Sequence, residues 1–306
     1  MDGKRRFYKK ICFSSLKAVY CVYRTLIEGV SVMIQLFPQF QKRILLYSGI
    51  WLGFLAAAQM LFPVFGLGLM IFASIAGILA IIFMQAVAST SYHNRILTVL
   101  YNELNAERFL SIYEPLLDVK VKNRQLHVMV RLHLSNAYCA QGRFDEAEEV
   151  LKGASFEGMK PEQEMLSRFA VISNLCYCAE QMNNLSTAEQ YLDQLHEIKA
   201  KLEEMQKSKP EKKRMTFSTA LNDHCFKFLK TGEADIEFLK SQVQANNTQQ
   251  LHRITSSLWV ARAYLSVNNR REAEKLLLRI TELAPDLYPG RCAKEMLDQL
   301  PAKNDK

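Results

Sequence analysis

Residues 44–88 form a run of forty-five positions without a single Asp, Glu, Lys, Arg or His. A helix crosses the hydrocarbon core of a bilayer with about 20 apolar residues. The run therefore predicts two helices, residues 44–62 and 67–88, joined by Pro63, Val64, Phe65 and Gly66. Lipid offers the backbone no hydrogen-bonding partner, so both halves must be helices and the turn must reach an interface. A buried helix pair of a soluble domain would keep a charged outer face, and neither half has one. Upstream, over residues 11–37, the polar positions Lys17, Cys21, Arg24, Glu28, Ser31 and Gln35 fall at intervals of four and three between apolar neighbours, which predicts an amphipathic helix. It either lies in the membrane interface or packs on the hairpin or on the domain that follows. Downstream the charges return, and helical periods alternate with short breaks up to residue 306 without any strand-like alternation. The expected fold is all-α: a two-helix transmembrane hairpin followed by a helical solenoid.

Small residues four apart mark both spans: Gly49, Gly53 and Ala57 in the first, Ala73 and Gly77 in the second. Such spacing lets membrane helices approach closely. It serves packing inside the hairpin, pairing between two copies in a homo-oligomer, or nothing specific. Gln59 and Gln85 are the strongly polar side chains within the spans, and neither ionises. An ion or proton path would place charged groups at that depth, so the pattern speaks against a channel or pump.

Charge is distributed unevenly. Residues 1–43 hold nine Lys/Arg against Asp2 and Glu28, whereas residues 91–306 hold thirty basic and twenty-nine acidic side chains. Most of the formal +8 therefore precedes the first span, where it acts as a topology signal and gives no reason to expect nucleic acid. Basic flanks stay in the cytoplasm. The expected arrangement is multi-pass in the plasma membrane, with a basic juxtamembrane segment 1–43, a hairpin 44–88 in the lipid bilayer, a domain 91–306 and both termini cytoplasmic. Seven cysteines without a CxxC pair agree with free thiols in a reducing compartment. Ala86, Val87 and Ala88 look like a cleavage site, yet a signal peptide is about 15–30 residues long with one short apolar core, unlike this double run.

In the last part of the chain three segments align. The first runs Ala137, Tyr138, Gly142, Arg143, Phe144, Asp145, Glu146, Ala147, Glu148, Leu151 and Ala154. The second has Leu175, Cys178, Ala179, Asn183, Asn184, Leu185, Ala188, Leu192 and Leu195; the third has Ala263, Tyr264, Asn268 to Glu274, Leu277, Ile280 and Pro285. Gly142, Asn183 and Asn268 suit a tight turn with positive φ, and Ala147, Ala188 and Ala273 permit close approach of two helices. These segments resemble tetratricopeptide repeats, over roughly residues 121–300. Ala147 and Ala188 are 41 residues apart and Ala188 and Ala273 are 85 apart, which predicts a hidden unit between them, about residues 215–230 and 233–243 on either side of Thr231 and Gly232. A further degenerate pair is expected over residues 92–104 and 106–117, and a closing helix over residues 286–300, since a solenoid must cover its last apolar face.

The resemblance implies a non-catalytic module whose first helix in each pair lines a concave groove for a protein or peptide partner. By position the groove residues are Leu132, His133 and Asn136, then Ser173, Asn174 and Tyr177, then Leu258, Trp259 and Arg262. Asn136 and Asn174 stand where relatives that clasp an acidic carboxy terminus hold peptide backbone. Leu132 occupies a place where those relatives carry Lys, which argues against that ligand. The six histidines are scattered, and no HExxH, GxSxG, Walker or dinucleotide glycine motif occurs. Neither an enzyme, a metal site nor a cofactor is expected. Two functions remain: a membrane-anchored scaffold that recruits a protein partner, and a membrane-structural or remodelling protein that self-assembles through its hairpin and amphipathic segment.

Overall fold

A computed structural model describes residues 34, 36–61, 67–119, 123–205, 209–245 and 249–300. Among these residues every regular element is helical. The chain divides into two compact units, one up to Arg95 and one from Ile96 onward. The amphipathic helix expected over residues 11–37 and the turn at Pro63 to Gly66 lie, almost wholly and wholly, outside the described residues.

The first unit is dominated by α1 (Pro38–Leu61) and α2 (Leu67–Tyr101). Pro38 opens α1, where the first turn has no use for the missing N–H. Both helices are long and apolar enough to cross a membrane. Their large apolar side chains point outward on many sides: Phe54 is 63% exposed, Met60 86%, Phe72 70% and Met84 63%. A soluble domain does not expose a continuous surface of this kind. The Ser74 hydroxyl donates to the Met70 carbonyl at 2.8 Å and that of Ser89 to the Ala86 carbonyl at 2.9 Å, so these hydroxyls need no water. At Gly77 the two helices meet. An added Cβ there would fall 2.0 Å from Trp51 Nε1, and the same indole N–H donates to the Ala73 carbonyl at 3.3 Å. Gly77 therefore packs inside the hairpin, whereas Gly49 and Gly53 face open space.

The degenerate pair expected over residues 92–117 takes a different form. Its first helix is the uninterrupted continuation of α2 to Tyr101, with Leu104 at φ 59° in the turn that follows. Its second is α3 (Ala106–Tyr113), capped by the Asn105 side chain, running into a 3-10 turn over Glu114–Asp118. Pro115 lies within that 3-10 turn.

Three helix pairs pack together next: α4 (Arg124–Gln141) with α5 (Phe144–Lys152), α6 (Pro161–Gln181) with α7 (Leu185–Met205), and, after two intervening helices, α10 (Gln250–Ser266) with α11 (Arg270–Leu283). Of the two between, α8 (Lys209–Thr231) packs on α6 and α7, and α9 (Ile236–Ala245) packs on α10. The hidden unit is present as two helices around the Gly232 turn, touching through the stacked rings of His224 and Phe238, but each packs chiefly on neighbouring helices rather than on the other. The closing helix is α12 (Tyr288–Asp298). The turn chemistry follows the sequence: Gly142, Asn183, Gly232 and Asn268 all have positive φ, between 57° and 77°. Ala147, Ala188 and Ala273 are fully buried, because a larger side chain at those points would hold the paired helices apart. Tyr138 packs toward the preceding element, where its hydroxyl donates to Glu114 Oε1 at 2.8 Å while Arg143 lies over its ring.

The second unit closes on itself. Helix α12 reaches back to the turn after α4: Arg291 Nη2 donates to the Gln141 carbonyl at 2.6 Å, and the Tyr288 ring meets Phe144 edge-on at 4.8 Å. The Tyr288 hydroxyl also donates to Gln181 Oε1 at 3.2 Å, at the end of α6. A short array thus bends far enough for its last helix to touch its first pair.

Candidate functional site

Curling the array brings the first helices of the pairs around one cavity of about 400 Å³. Its wall comes from α4 (Asn136, Cys139, Ala140), α6 (Ser173, Asn174, Tyr177, Glu180), α8 (Ser218, Leu221, Asn222, Cys225) and α10 (from Leu251 to Trp259), with Pro289 from α12. Five residues named from the sequence meet there: Asn136, Ser173, Asn174, Tyr177 and Trp259. The other four are placed elsewhere. Leu258 is in the core and Leu132 is half-buried. His133 Nδ1 lies 2.9 Å from the Tyr101 hydroxyl. Arg262 stacks its guanidinium over the Trp259 ring at 4.9 Å and reaches Gln181 Oε1 at 3.5 Å.

Inner polar side chains bond to one another from helix to helix. Asn174 Nδ2 donates to Asn136 Oδ1 at 3.0 Å and to Ser135 Oγ at 3.2 Å; Asn136 Nδ2 donates to the Tyr101 hydroxyl at 2.8 Å. Farther along, Asn222 Nδ2 donates to Ser173 Oγ at 3.0 Å, and Ser173 Oγ lies 3.0 Å from Ser218 Oγ. This ladder satisfies polar groups that would be costly to bury alone. It also ties α4, α6 and α8 into one wall. Tyr101 is buried at one end of the ladder and stacks on His252 at 5.3 Å.

The wall carries little charge at neutral pH. Among the described residues no Lys or Arg lines the cavity. Burial lifts the Glu180 carboxyl to about 8, against a weak opposing bond from the Cys176 thiol at 3.6 Å. Glu180 also sits in the last turn of α6, where the negative end of the helix dipole further disfavours a carboxylate. Burial lowers His252 and raises the Tyr177 hydroxyl and the Cys225 thiol. The Cys139 thiol is pushed up by its contact with Cys178, with the two sulfurs 3.6 Å apart, and by burial. Such a site has no fixed positive charge for a carboxylate or phosphate. Among the described residues no group of His, Cys, Asp and Glu has metal-binding geometry.

Asn222 and Glu180 were not foreseen from the sequence. Asn222 stands ten residues before the positive-φ residue Gly232, as Ser173 stands ten before Asn183 and Leu132 ten before Gly142. Counting back from Gly232 would have found it, had the hidden unit not lacked the small Ala that marks the others. Glu180 has no sequence signal, because a charged residue near a helix end reads as solvated.

The family model for the tetratricopeptide repeat matches residues 128–154, which is the lining part of α4, the Gly142 turn and the whole of α5. Helix, turn and small-residue contact thus agree with the model in one place. The chain carries a tetratricopeptide repeat. No curated protein and no solved structure matches it. A tetratricopeptide repeat is a scaffold for protein–protein interaction and is typically non-enzymatic. The pairs α6/α7 and α10/α11 extend the same helix–turn–helix arrangement beyond the matched repeat.

Proposed function

We propose that the chain is a membrane-anchored tetratricopeptide-repeat scaffold that holds a protein partner at the cytoplasmic face of the plasma membrane. In this reading residues 1–43 form a basic juxtamembrane segment, residues 44–88 the transmembrane hairpin and residues 91–306 the cytoplasmic repeat domain. The observation that carries it is the joining of two outwardly apolar helices to a repeat array in one chain. The charge excess before the first span supports cytoplasmic termini. At about 400 Å³ the cavity is the size of a site for one small ligand. A partner therefore inserts a side chain or chain end there.

The test is photo-crosslinking in intact membranes, from a reactive residue at Thr255 in the cavity wall and from one at Arg271 on α11. One protein captured from Thr255 and absent from Arg271 is the expected result. Indistinguishable captures from both positions would refute a partner held by the cavity. Gly49 and Gly53, open on one face of α1, favour a second reading in which copies pair through their hairpins. It predicts crosslinks between copies of the chain from that face.

A further inference from the structure

Glu180 is the one wall group whose burial calls for a partner. It is 3% exposed, and its Oε1 accepts only a weak bond from the Cys176 thiol. Removing a carboxylate from water without a compensating charge costs several kcal/mol, and a protein meets this in one of two ways. Either the acid holds its proton, or a cation arrives. Inside the cavity, the first condition holds while the site is empty. The second is open, since no Lys or Arg among the described residues lines the wall.

The surrounding groups leave that place for a ligand. On its own helix Glu180 faces Cys176, and on α8 it faces Cys225. Asp223, also on α8, acts on Cys176 and is engaged at the surface with His196 at 2.8 Å. From α7 the Ala188 carbonyl lies 3.6 Å from the Cys176 sulfur. Arg262 on α10 is the nearby guanidinium, reaching Cys225 and Tyr177 electrostatically, and it is engaged with the Trp259 ring and Gln181. His252 across the cavity is held neutral by burial. The rest of the wall supplies apolar and π surface from Tyr177, Trp259 and Leu221, and oxygens from Asn136, Ser173 and Thr255.

We propose that this cavity takes a small organic monocation, an ammonium group on an apolar body, with Glu180 as its counter-ion. The ammonium donates to the Glu180 carboxylate, and the body packs on the Tyr177 and Trp259 rings, which also attract a cation. Anions are disfavoured for want of a basic group, and dications for want of a second acid among the described wall residues. The ammonium can come from a free amine or from a lysine side chain of a bound protein. The inference does not depend on membrane anchoring.

Binding has a proton signature. The empty site holds Glu180 protonated near neutral pH and the complex holds it ionised, so each binding event near pH 7 releases close to one proton. The apparent affinity rises about tenfold per pH unit below the pKa of the empty site. The experiment is calorimetry on the full chain in detergent micelles, in two buffers of different ionisation enthalpy. The probes are phenethylamine, Nα-acetyl-lysine methylamide and the uncharged 2-phenylethanol. We expect at least one amine to bind with release of about one proton while 2-phenylethanol binds at least tenfold more weakly. Phenethylamine alone points to a free amine and the lysine derivative alone to a protein side chain; both outcomes support the site. In Glu180→Gln, an isostere of the protonated acid, proton release should vanish and amine affinity should fall at least tenfold. Its melting curve at about pH 6 should match the wild type, which shows that the fold survives. Three results would overturn the proposal: no binding of either amine, binding without proton release, or unchanged binding in Glu180→Gln.

Discussion

Alanine in place of Gly290 will lower the melting temperature of the repeat domain by about 6–12 °C, the equivalent of about 3 kcal/mol in a unit of this size. The reason is local. A Cβ at Gly290 would lie 1.8 Å from the Ala284 carbonyl oxygen and 3.2 Å from Pro285 Cα, both backbone atoms that cannot swing aside. Relief requires α12 to move away from the end of α11. Movement of α12 in turn breaks the bond of Arg291 to the Gln141 carbonyl and the edge contact of Tyr288 with Phe144, which close the array. Gly153→Ala is the matched control. Its Cβ meets only the Arg131 guanidinium, the far end of a flexible side chain, and the melting temperature should change much less. Thermal unfolding of both full-length variants in the same detergent makes the comparison. Equal melting temperatures for Gly290→Ala and wild type would mean that α12 does not seat as described.

Raising the pH from about 6.5 to about 8 should cost the repeat domain about 2 kcal/mol of stability through the Glu180 carboxyl. The sign follows from Glu180, whose folded-state pKa is raised from 4.5 to about 8. Between those values the folded state binds more protons than the unfolded one, so its advantage is complete below the unfolded pKa and declines until the folded pKa is passed. His252 acts in the opposite sense at lower pH, since a depressed histidine must charge on unfolding. The buried thiols add a further decline only at higher pH. Across this window His252 and His127, whose pKa values burial lowers, each oppose the carboxyl by up to about 0.4 kcal/mol as the unfolded chain loses their protons, less for the more exposed His127, so the difference between wild type and Glu180→Gln isolates the carboxyl. Urea unfolding at the two pH values should show a clear loss of stability for wild type and none for Glu180→Gln. A wild type that behaves like the variant would show that the carboxyl is solvated after all.

Much of the architecture was legible because single residues carry decisive chemistry. Gly142, Asn183 and Asn268 adopt the positive φ that their side chains tolerate, and Ala147, Ala188 and Ala273 are buried where helices touch. The two helices of the hidden unit followed from spacing, though not their packing on neighbouring helices rather than on each other. Other features had no such markers. The continuation of α2 to Tyr101 was hidden because residues 89–94 are Ser, Thr, Ser, Tyr, His and Asn, weak helix formers that read as a break after the apolar run. Closure of the array by α12 depends on curvature accumulated along the array, a property of packing that no local pattern encodes. The wall residues were only partly legible for the same reason. Asn136 and Asn174 could be placed by counting within a repeat, but their bonding to each other across helices depends on how the pairs rotate.

We propose that α1 and α2 lie in the bilayer with the repeat domain on the cytoplasmic side. The most direct test is protease protection in membranes of known orientation, with antibodies against the repeat domain as the readout. The domain should stay bound to membranes through alkaline carbonate, resist protease added outside intact cells and be digested in inverted vesicles. Digestion from outside intact cells, or release of the full-length chain into the carbonate supernatant, would contradict the account.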